Sequence, residues 1–225
     1  MLLDVRHLRK EYKRGENVFR AVNDVDLAVD AGDFVCITGR SGSGKSTLLN
    51  MIAGLLEPTS GSILFDGAEL LHRSDEEMSL FRNTRIGYIP QGPSAVANLS
   101  VLENVMLPFC LRKRTGNASA KAFALLEQLG VGHLAQMYPA RLSEGELRRM
   151  TIARSLINTP ALLIADEPTG DLDDENTSEV LEIFTRISRN NTAVLLVTHE
   201  SDVVRYGNRR FNMNAGILSD DSNST

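Results

Sequence analysis

The stretch Gly39-Arg40-Ser41-Gly42-Ser43-Gly44-Lys45-Ser46, followed by Thr47, has the spacing G-x-x-x-x-G-K-[ST]. These residue types suit a phosphate. Glycines let the backbone curl so that consecutive N–H groups point at phosphate oxygens, and the N-terminus of a following helix adds a favourable dipole. Lys45 brings a point charge for the β- and γ-phosphates of a nucleotide, and Ser46 a hydroxyl for Mg²⁺. Ordinary composition would produce this pattern by chance in about one chain in a hundred. Its place between an apolar run and a helical pattern lowers that further.

A phosphate loop alone does not separate kinase, GTPase and ATPase chemistry. The apolar run Ala161-Leu162-Leu163-Ile164-Ala165 ends in Asp166-Glu167, which delivers two carboxylates to the end of a buried strand, where open α/β sheets bind ligands. Asp166 is placed to organise Mg²⁺ through its water shell, and Glu167 to polarise an attacking water. An acidic pair that caps a helix is the plainer account, since Pro168-Thr169 follows. Two carboxylates directly after an apolar strand exceed what a cap requires. Thr198-His199-Glu200 repeats the arrangement after the apolar run 193–197, so His199 is expected on the γ-phosphate side of the same crevice. His7, His72 and His133 have no such setting and are read as structural.

The elements that must position these groups can be read from periodicity. Val25, Leu27 and Val29 alternate with polar or small residues, the pattern of a half-buried strand, and the continuous apolar run 34–38 is that of a central strand. Leu48, Leu49, Ile52 and Leu56 have helical spacing, and that helix stops between Gly54 and Pro58. Residues 62–65 and 86–89 read as short strands. Ser100 with Glu103, and Ser143 with Glu146, are capping boxes that open helices, and Asn117 caps another that ends at Gly130. Strand 161–165, helix 175–189, strand 193–197 and a short helix at 201–206 complete a strand–helix–strand alternation. Continuous apolar strands in that order predict a parallel sheet covered on both faces.

Composition narrows the class. The 225 residues carry 24 Lys and Arg against 29 Asp and Glu, a net charge of −5, with 42% hydrophobic and 24% charged residues. That is a globular chain with an ample core, and its mild acidity argues against a nucleic-acid partner. The longest aliphatic runs fall far short of the ~20 residues a membrane span needs, and the first residues lack the layout of a signal peptide. Cys36 and Cys110, each in an apolar stretch, are expected to be isolated buried thiols, which fits a reducing cytosol. Arg112, Lys113 and Arg114 read as a solvated basic loop, and 220–225 as a frayed polar tail.

At Leu142-Ser143-Glu144-Gly145-Glu146 a family comes into view. Together with the phosphate loop, Gln91, Asp166-Glu167, Gly170-Asp171-Leu172-Asp173 and His199, in this order, it resembles an ABC transporter nucleotide-binding subunit over nearly the whole chain. The resemblance implies an α/β fold: a P-loop NTPase (RecA-like) core, an antiparallel β lobe from roughly the first thirty residues and the 60–90 region, and an inserted helical lobe at about 92–155. Residues 1–219 would form this one nucleotide-binding domain, without the C-terminal regulatory domain of some sugar importers. It further implies ATP and Mg²⁺ as ligands. Tyr12 would stack on adenine. Gln91 would touch Mg²⁺ and sense the membrane partner. Asp173 would contact the opposite protomer. Residues 39–47 of one copy and Ser143 and Gly145 of another would enclose each ATP, giving a two-fold head-to-tail homodimer.

Leu55 to Gly61, Glu103 to Pro108, Glu146 and the run from Asp166 to Asp173 look like the lipoprotein-release and macrolide-export branch. There ATP-driven closure is transmitted mechanically to integral membrane subunits from the cytoplasmic face. The same motifs serve regulatory cell-division ATPases, which signal across the membrane without transport. Soluble ABC ATPases of ribosomes or DNA repair usually carry paired cassettes or long coiled coils, both missing here. One departure stands out: Glu144 occupies a position that is normally Gly in this motif. A carboxylate near the partner's γ-phosphate repels it unless the side chain points to solvent, so Glu144 is expected to tune sandwich formation.

Overall fold

A computed structural model describes residues 1–15, 17–92, 94–112 and 115–221; Lys113, Arg114 and residues 222–225 lie outside them. Its centre is a six-stranded sheet in the order β10-β9-β3-β8-β7-β6. The strands are β3 (Phe34–Thr38), β6 (Ile86–Ile89), β7 (Leu162–Asp166), β8 (Ala193–Thr198), β9 (Arg209–Asn214) and β10 (Ile217–Asp220). All neighbours pair in parallel except β10, which returns antiparallel on β9. Every residue of β7 and β8 is buried, as continuous apolar strands in a doubly covered sheet must be.

Alternation along each strand divides the core in two. Val35, Ile37, Leu195 and Val197 face a cluster completed by Leu48, Leu49 and Ile52 of helix α1 (Lys45–Ile52) and by Leu3, Val5, Val25 and Leu27. Phe34, Cys36, Leu196 and Ala165 face the opposite side, against α3 (Val101–Cys110), α4 (Ala118–Gln128), α5 (Glu144–Leu156) and α6 (Asp174–Arg189). Capping boxes open α3 at Ser100 and α5 at Ser143, and Asn117 caps α4. The short helix at Ser201–Tyr206 is a 3-10 helix.

A second, antiparallel sheet has the order β2-β1-β4-β5, from β1 (Leu3–Arg14), β2 (Asn17–Val29), β4 (Ser60–Phe65) and β5 (Ala68–Glu69). The expectation that 60–90 as a whole belongs to it is corrected. Residues Asp75–Arg85 form helix α2, and β6 joins the parallel sheet. Phe81 is the one residue of α2 that is buried, edge-on to Phe65 at 5.0 Å, so an otherwise polar helix shows no apolar stripe. Three further expectations change. Cys110 is exposed, whereas burial pushes the Cys36 thiol up to about 12. The strand–helix–strand alternation does not end at the short helix 201–206 but continues into β9 and β10. Asp220 ends β10 rather than opening a tail. No helix among the described residues is long and apolar enough to cross a membrane.

Candidate active site

Register brings the chemistry together. Thr38 at the end of β3 pairs with Thr198 at the end of β8, and Asp166 at the end of β7 pairs with Val197. The residues that follow, Gly39, His199 and Glu167, therefore leave the sheet side by side at its C-terminal edge. With Gln91, Arg40 and Ser41 they line a cleft of about 970 Å³.

The loop from Gly39 to Gly44 is pressed between neighbouring backbones. A Cβ on Gly39 would lie 2.3 Å from the Met213 carbonyl oxygen, and one on Gly44 2.1 Å from that of Ala21. Both glycines also have positive φ, so no other residue fits either place. The Gly216 N–H donates to the Ser43 carbonyl at 2.9 Å, which clips the loop to the β9–β10 turn. Ser46 and Thr47 follow in the first turn of α1. Lys45 is 6% exposed. Its amine donates to the carbonyls of Gly39 at 2.7 Å and Arg40 at 3.3 Å, and stands 3.6 Å from Glu167 Oε1.

Glu167 sits at φ +47°, a left-handed conformation unusual for a side chain of its size. Its Oε2 lies 2.9 Å from His199 Nδ1 and accepts the His199 backbone N–H at 3.2 Å. Asp166 is 5% exposed. Burial holds its carboxyl above the usual range and the charge of Glu167 adds to this, while a hydrogen bond from Ser46 and the charge of Lys45 oppose it. Among the described residues, Asp166 Oδ1 and Ser43 Oγ are buried without a hydrogen-bond partner. Orphaned oxygens of this kind cost roughly 1–3 kcal/mol each. Their place beneath a glycine-rich loop with a lysine fits a phosphate and a hard cation, which takes oxygen ligands.

Sequence reasoning missed the contribution of β9. Arg210 and Asn212 line the cleft with Arg205, and Asn212 Nδ2 donates to Thr38 Oγ1 at 3.2 Å. Alternating Phe211 and Met213, followed by Asn214-Ala215-Gly216, was a readable hairpin signal.

Three expected residues stand apart. Tyr12 lies on β1, 42% exposed, paired across strands with Phe19, itself 55% exposed. Ser143 caps α5: its hydroxyl accepts the Glu146 N–H at 3.3 Å, and Glu146 Oε2 accepts the Ser143 N–H at 2.8 Å. Gly145 presses on the next helix, where an added Cβ would meet Asn176 Oδ1 at 2.0 Å. Neither Ser143 nor Gly145 lines the cleft, so within one chain the two halves of the expected nucleotide site face different surroundings.

A family model described as ABC transporter matches residues 22–170. The ATP-binding protein YtrE of Bacillus subtilis is 37% identical over 96% of this chain and 96% of its own length. The lipoprotein-releasing system ATP-binding protein LolD of Shewanella frigidimarina is 40% identical over 96% of this chain and 92% of its own. The macrolide export ATP-binding/permease protein MacB of Chlorobaculum tepidum is 35% identical over 98% of this chain, which spans 34% of that longer protein. Among solved structures, the dimeric post-hydrolysis cassette MJ0796 bound to ADP and Pi superposes with a TM-score of 0.90 at 32% identity, over 97% of both chains. With phosphate loop, acidic strand end and the Ser143-capped helix α5 in this arrangement, the chain belongs to the ABC transporter family and is an ATP-binding cassette.

Proposed function

We propose that this cassette hydrolyses ATP in a two-fold, head-to-tail dimer and thereby drives integral membrane subunits of a lipoprotein-release or macrolide-export type of system. The observation that carries the reading is the Glu167 carboxylate, fixed by His199 on one oxygen and facing Lys45 with the other, at the mouth of the phosphate loop. A carboxylate held this way orients and deprotonates a water aimed at the γ-phosphate. Lys45 and the backbone N–H groups of 39–47 bind the phosphates, and His199 keeps Glu167 in place while facing the γ-phosphate side. Tyr12 supplies an exposed ring for adenine. Ser46, Asp166 and Gln91 would hold Mg²⁺, which when bound neutralises phosphate charge and orients the β- and γ-oxygens.

One copy supplies this half, and Ser143 with the backbone around Gly145 of a second copy supplies the other. Phosphate charge then completes the interface, so ATP closes the dimer and hydrolysis reopens it. Similarity to the dimeric MJ0796 cassette supports that assembly, and similarity to LolD and MacB supports coupling to membrane subunits at the cytoplasmic face. Purification from native membranes in mild detergent tests the reading. The expected partner is a stoichiometric integral membrane subunit with a large extracytoplasmic domain. Recovery in the soluble fraction, with ribosomes or alone, would remove the transporter assignment and leave the ATPase chemistry.

A further inference from the structure

Glu144 lies in the first turn of α5, at the surface expected to meet a partner's ATP. It stands one helical turn before Arg148, the i, i+4 order in which an acidic residue precedes a basic one, the favourable orientation. Arg148 is only 8% exposed, a rare state for a guanidinium. Glu144, Arg148 and Asp171 line one cavity of about 110 Å³, together with Gly92 and Leu172. This junction joins three segments: the loop after Gln91, the first turns of α5, and the loop after the acidic pair that ends at Asp173, the cap of α6. The first of them is also tied to α5 by Arg154, whose guanidinium donates to the Ser94 carbonyl and hydroxyl, both at 2.7 Å. Burial disfavours the charged form of Arg148, and the charges of Asp171 and then Glu144 oppose that effect.

We propose that Glu144 is a positioning residue: with Asp171 it balances the buried guanidinium of Arg148, and so fixes the turn bearing Ser143 and Gly145 against the loop that ends at Asp173. The carboxylate would thus strengthen the face proposed to meet a partner's ATP instead of repelling phosphate. Glu144 is exposed and lines the same cavity as Arg148, so its charge acts on the guanidinium across that small space. The inference rests on the reading that Ser143 and Gly145 bind ATP held by a second copy.

The test is a double-mutant cycle on the full chain, with Glu144→Gln chosen because it keeps side-chain length and helix propensity. In a Glu167→Gln background, ATP-driven dimerisation is followed by sedimentation. E144Q is expected to raise the ATP concentration for half-dimerisation by about fivefold, and R148Q to shrink the effect of E144Q below about twofold. With Glu167 intact, E144Q raises KM for ATP while kcat at saturation changes by less than about twofold. Dimerisation of E144Q at the same or lower ATP concentration overturns the proposal, as does an equal effect with R148Q present. Ser143→Arg separates the two levels of the argument. If S143R dimerises normally, the interface reading fails and the proposal with it. If S143R blocks dimerisation and E144Q does not weaken it, only the role of Glu144 is lost.

Discussion

His199 holds Glu167 twice: its backbone N–H donates to Oε2 at 3.2 Å and its Nδ1 lies 2.9 Å from the same oxygen. The carboxylate is thereby pinned from one side, with Oε1 directed toward Lys45 at 3.6 Å. Main-chain and side-chain contacts from one residue thus hold the same carboxylate oxygen.

Replacing His199 by Ala removes the ring contact and keeps the backbone one. Turnover should fall by roughly 10–100-fold, the size of loss found when groups that orient metal ligands are removed. Affinity for ATP, measured by equilibrium titration, should change by less than about threefold. A large loss of binding with kcat unchanged would place His199 in nucleotide binding instead.

Lys45 is buried and satisfied by the carbonyls of Gly39 and Arg40. Lys45→Ala removes the cation that would otherwise turn to phosphate, a charge-assisted contact of about 1.5–3 kcal/mol. Binding of ATP should weaken at least about tenfold in calorimetric titration, whatever happens to the rate of turnover.

Asp166 carries a pH signature. Burial raises its native pKa above the unfolded value of 3.8. Between those two values the native state binds more protons than the unfolded state, so stability falls as pH rises through that window. Above it the ionised carboxylate remains a net cost to the nucleotide-free fold. Asp166→Asn should therefore raise the midpoint of thermal unfolding at pH 7 without nucleotide or Mg²⁺. The gain should vanish as the pH is lowered below 3.8, while ATP turnover is lost at every pH.

Gly145 has a packing duty separable from phosphate recognition. An alanine there drives into Asn176 Oδ1, whose side chain also donates to Asp173 Oδ1 at 3.0 Å. Gly145→Ala should destabilise the protein by about 1–3 kcal/mol in urea unfolding, the usual cost of overpacking. Asn176→Ala in the same chain should restore part of that stability. No recovery would mean that the strain lies elsewhere.

Much of the candidate site was legible because its carboxylate and imidazole groups follow uninterrupted apolar strands. Glu167 and His199 come straight after strand ends, and parallel register does the rest. Phe34–Thr38 and Ile86–Ile89 could be bounded to the residue for the same reason. Helix α2 escaped notice although Ser74 and Glu77 form the same capping box as Ser100 and Glu103. With Phe81 alone buried, it offers no periodicity to confirm the cap. Strand β1 has register shifts around Leu8 and Lys10 that break its alternation. The close packing of Gly145 on Asn176 and the approach of Asp171 to Arg148 are made between segments distant in sequence, and no local pattern announces them.

Sedimentation of the Glu167→Gln protein with saturating ATP, and separately with ADP, tests whether each active site is shared between two copies. Dimers holding two ATP molecules, turnover reduced by about a hundredfold or more, and monomers with ADP are expected. Monomers fully loaded with ATP, or hydrolysis at the parent rate, would contradict it.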